Sequence, residues 1–118
     1  MIAALVTLAL SPWTGPSLPT ASPAAVKYRL AVHGRPHENV RLRATGLAQG
    51  WIATFCTARF CSPQHSSLDL DGSGNGAVEF AVIRIDDAAP AHTRVTVSAS
   101  NGESKSLAIG APQAGRKP

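Results

Sequence analysis

Two cysteines five positions apart, Cys56 and Cys61, four histidines and a short acidic loop are the groups in this chain that could carry chemistry. A zinc centre takes about four ligands, commonly as two close pairs. Here there is one Cys-x4-Cys pair, which His33, His37, His65 or His92 would have to complete. A thioredoxin-like motif sets Cys-x-x-Cys at a helix N-terminus, and neither that spacing nor a helical pattern is present. If residues 51–57 run out and the chain returns from residue 60, the two cysteines face each other across a hairpin. Facing residues of paired strands have Cα atoms about 4.5–5.5 Å apart, within reach of a disulfide. Closing so small a loop stabilises by roughly 2 kcal/mol. The spacing therefore predicts a Cys56–Cys61 staple and, with it, an oxidising compartment.

The loop DLDGSGNG resembles part of a calcium ladder, with Asp69, Asp71 and Ser73 at alternate positions and Gly74 at the sharp turn. The closing bidentate glutamate should fall at residue 80, which is Phe80, while Glu79 stands one place early. A Gly-rich hairpin explains the same residues without an ion. His33 and His37 have the four-residue separation of helical metal ligands, but Gly34 and Pro36 rule out that helix. Asp69, Asp71, His33 and His37 are thus weak metal candidates, and a small exported metal-binding protein is the alternative reading they support. No G-x-S-x-G occurs, so no catalytic residue and no cofactor is assigned.

The elements that must position these groups are strands. With 118 residues, 44% hydrophobic and only 15% charged, the chain suits one folded domain with an aliphatic core. From residue 26 onward apolar residues alternate with polar ones, and turn residues recur every eight to twelve positions. Strands are predicted over 26–33, 39–45, 51–57, 66–70, 77–85, 93–100 and 103–109, with a short return at Phe60 and Cys61. Asn101-Gly102 is the strongest hairpin signal. No stretch carries helical periodicity with caps. The expectation is an all-β, immunoglobulin-like two-sheet sandwich of about seven antiparallel strands over residues 26–110, followed by a disordered tail at 111–118.

The first ten residues, MIAALVTLAL, form an apolar run, and a Pro/Ser-rich segment follows. The run is shorter than the roughly 20 residues needed to span a bilayer but matches the apolar region of a signal peptide. Ser22-Pro23-Ala24 supplies small residues for cleavage after Ala24 or Ala25. Residues 1–25 are therefore expected to be a leader with its linker, and the protein to be secreted, periplasmic or on the cell surface. With the leader removed, no integral membrane protein is expected.

The formal net charge is +4. Lys27, Arg29, Arg41 and Arg43 alternate outward on the first two strands after the leader and would be cross-strand neighbours if those strands paired. Like charges set opposite one another destabilise a sheet unless a partner neutralises them. The four residues are expected to form a solubilising face that protects a sheet edge, with a face for an anionic polysaccharide or lipid as the alternative. Nucleic acid is not expected, because no aromatic residues interleave the cations.

The arrangement Gly50-Trp51, then Phe55-Cys56, then Cys61, and later the strand around Val95 to Val97, resembles bacterial secreted immunoglobulin-like domains appended to exported hydrolases and surface proteins. The likeness covers residues 26 to 110. It implies a spacer or accessory module with no catalytic residues to carry over, and the whole reading is of a monomer with an unknown protein or surface polysaccharide as partner.

Overall fold

The computed structural model describes residues 6–13, 26–57, 61–100 and 102–110. Among the described residues nine strands follow one another: β1 (Thr7–Pro12), β2 (Val26–His33), β3 (Asn39–Thr45), β4 (Trp51–Cys56), β5 (Cys61–Pro63), β6 (His65–Asp69), β7 (Asn75–Arg84), β8 (His92–Ala99) and β9 (Ser104–Gly110). One sheet has the order β1-β2-β7-β4-β5 and the other β6-β3-β8-β9. Every strand pairing is antiparallel.

Period-two alternation gives each strand one apolar face, and the two apolar faces can leave water only against each other. Leu30 and Val32 of β2, Phe55 of β4, and Val78, Phe80 and Val82 of β7 meet Val40 and Leu42 of β3 and Val95 and Val97 of β8 in one buried cluster. Phe55 and Phe80 are register partners whose tilted rings lie 5.1 Å apart, a favourable aromatic contact. Trp51 is buried as well, and its indole nitrogen donates to the Pro90 carbonyl at 2.8 Å.

The order β1-β2-β7-β4 facing β3-β8-β9 is that of the A-B-E-D and C-F-G sheets of a constant-type immunoglobulin sandwich. Between the fourth and fifth of those strands the chain inserts β5 and β6, which lengthen one edge of each sheet. The change of sheet happens at Gln64, which has φ of 66°. Its amide donates to Ala53 of β4 at 2.9 Å, and its carbonyl accepts from Ala44 of β3 at 2.7 Å.

Strand β1 lies inside the segment expected as a leader. It pairs along its whole length with β2, from Thr7 opposite His33 to Pro12 opposite Tyr28. Val6 and Leu8 are buried in the core cluster. The far end of the chain holds it there: the Leu8 amide donates to Glu103 Oε1 at 3.0 Å, and the Glu103 amide donates to the Val6 carbonyl at 2.9 Å. The remainder of residues 1–25, the Ala58–Phe60 connection, Asn101 of the expected hairpin turn and the tail at 111–118 lie outside the described residues.

Candidate binding face

Cys56 and Cys61 are bonded to each other and are register partners at the β4–β5 edge of the five-stranded sheet. The bond joins two ends of a hairpin, so both thiols are taken up by a structural link.

The four cations expected to form one face are divided between the two sheets. β2 pairs with β1 and β7, whereas β3 pairs with β6 and β8. Consecutive strands in the sequence here cross from sheet to sheet, which takes Lys27 and Arg29 away from Arg41 and Arg43. Lys27 stands opposite Ala81, and Arg29 stands opposite Glu79. Glu79 alternates with core residues Val78 and Phe80, so it belongs to the outer side of β7, yet it is fully buried.

Arg41 and Arg43 have a different setting. Arg41 is opposite Ser67, and Arg43 is opposite His65 on one side and Ser98 on the other. Neighbouring pairs continue in hydroxyls: Thr96 bonds Ser106 at 2.9 Å, and Ser104 donates to Ser98 at 3.1 Å. Ser100 is tied to Arg41 twice through the backbone, donating its amide to the Arg41 carbonyl and accepting the Arg41 amide on its hydroxyl at 3.1 Å. The result is an open groove of about 980 Å³ lined by Arg41, Arg43, His65, Ser67, Ser98 and Ser100, among others. Serines at outward strand positions look like simple solubilising residues, so nothing in the sequence alone assembled them around the arginines.

The weak metal candidates already serve the β6–β7 connection. Asp71 Oδ1 accepts the amides of Ser73 at 2.8 Å and Asn75 at 3.0 Å. Those amides hold its carboxyl below the usual carboxylate range, with the His37 charge adding in the same direction. Asp69 accepts from the Asn39 side chain at 2.7 Å, and His33 Nδ1 bonds Asn75 Oδ1 at 2.7 Å. His37 takes φ of 61° in the turn, its amide donating to the Asp71 carbonyl. Among the described residues no three His, Cys, Asp or Glu side chains gather into a metal-binding group, and no helix is long and apolar enough to cross a membrane.

No protein-family model matches the chain, and no curated protein matches it. Among solved structures it is similar to the crystal structure of a DUF4466 family protein from Parabacteroides merdae, with 11% identity and a TM-score of 0.41. The match covers 94% of this chain and 45% of that one, so this chain spans less than half of that protein.

Proposed function

We propose that the protein is a non-catalytic, exported immunoglobulin-like module that works by contact, with the outer face of the four-stranded sheet as its contact surface. The observation that carries the reading is the asymmetry between the two sheets. In the five-stranded sheet Arg29 faces a buried carboxyl residue. In the four-stranded sheet Arg41 and Arg43 face only serine and histidine in an open groove. The Cys56–Cys61 bond supports an oxidising location.

The test is cosedimentation of the full chain with the envelope of the producing cells, using Ser67→Trp to fill the groove and Ala9→Trp as the matched change on the other sheet. Release by Ser67→Trp alone, in a protein of unchanged melting temperature, is expected. Equal retention of both variants would reject this face.

A further inference from the structure

From the same face, and resting on that reading, we infer the class of partner: an acidic polysaccharide carrying sulfate or carboxylate groups. Arg41 and Arg43 are two residues apart on one side of β3, so their backbone origins are separated by about 6.5–7 Å. That repeat presents two guanidinium groups along a line. Each can form paired hydrogen bonds with an oxyanion. Arg94 prolongs the line, because it lies four register pairs beyond Ser98 on the same side of β8. None of the side chains lining the groove is acidic. The hydroxyls of Ser67, Ser98 and Ser100 add both donors and acceptors, which suits a ligand that is itself rich in hydroxyls.

Three other features separate this partner from its competitors. The groove is open rather than enclosed, whereas a small-molecule site buries most of its ligand; an extended polymer fits an open groove. No Phe, Tyr or Trp lines it, and single-stranded nucleic acid needs such stacking platforms between the cations. Membrane binding requires apolar anchors beside the charges. Among the described residues the exposed large hydrophobic is Ile85, which follows β7 in the other sheet.

The experiment is retention of the full chain on immobilised heparin and polygalacturonate, with dextran as the uncharged matrix and phosphatidylglycerol vesicles as the lipid probe. Salt-sensitive binding to both acidic polymers, with dextran and vesicles unbound, is expected. Arg41→Gln with Arg43→Gln should weaken it about tenfold. Lys27→Gln with Arg29→Gln removes the same net charge and should leave it within about twofold. Equal loss from both pairs would overturn the inference, since attraction would then follow net charge alone. Tighter binding to vesicles than to the polymers would also overturn it. Dextran binding that survives the Arg41/Arg43 change but is lost in Ser67→Trp would sink the acidic class while leaving the contact face standing. Loss of neither polymer in Ser67→Trp would sink both.

Discussion

Gly74 is packed against Gly34. The Gly34 amide donates to the Gly74 carbonyl at 2.8 Å, and a β-carbon on Gly74 would overlap the Gly34 carbonyl oxygen. Gly74 also has φ of 80°, where side chains are strained. Gly74→Ala is therefore expected to cost about 2 kcal/mol or more in urea denaturation. Gly72 lies two residues away in the same loop, and a β-carbon there would meet nothing nearer than His37 Nε2 at 3.6 Å. Gly72→Ala should stay within about 0.5 kcal/mol of wild type. Equal costs for the two would refute the close approach as the cause.

Removal of residues 1–25 takes Val6 and Leu8 out of the core and uncovers the β2 edge. Burial of two aliphatic side chains contributes about 3–5 kcal/mol. The truncated chain should unfold at much lower urea than the full chain, and should bind a dye that reports exposed apolar surface. Intact-mass measurement of the protein from its own cells shows which form exists; a stable, cooperative product beginning at Ala25 or Val26 would contradict the place of β1 in the core.

Glu103→Ala breaks the side-chain half of the tie to β1, leaving the Leu8 amide without its acceptor. A loss of about 1–2 kcal/mol is expected, with faster hydrogen exchange confined to the β1 and β2 amides. Uniform acceleration over all strands would show that Glu103 acts on global stability rather than on this edge.

The Asp71 carboxyl titrates below its ordinary value of 3.8 in the folded protein. A group depressed by folding supplies stability that is present above its unfolded value and lost as pH falls through the folded one. Asp71→Asn should therefore be less stable than wild type at neutral pH, and the gap should close in acid below pH 3.8. A gap that stays constant from neutral to strongly acid pH would mean that the carboxylate's charge contributes nothing to the turn.

Most of the strands were legible from alternation alone. The predicted 26–33 and 39–45 match β2 and β3, and the predicted 77–85 covers β7 as far as its end at Arg84. The Cys56–Cys61 link was also legible, because four residues between facing strand positions leave few other uses for two thiols. β1 was not, since a short apolar run has one composition whether it is a leader or a core strand. The cation face was misread for a topological reason. Alternation tells which side of its own strand Arg29 or Arg41 occupies, but not which sheet that strand joins. Glu79 escaped for the same reason: its outward phase says nothing about whether the outer side of β7 is covered.

The tie between Leu8 and Glu103 spans 95 residues of sequence. Contacts of such separation form late, because loop closure must precede them. During synthesis β1 precedes the other described strands, and Glu103 follows only after β8. Val6 and Leu8 thus stay without this tie until every strand from β2 to β8 has been made.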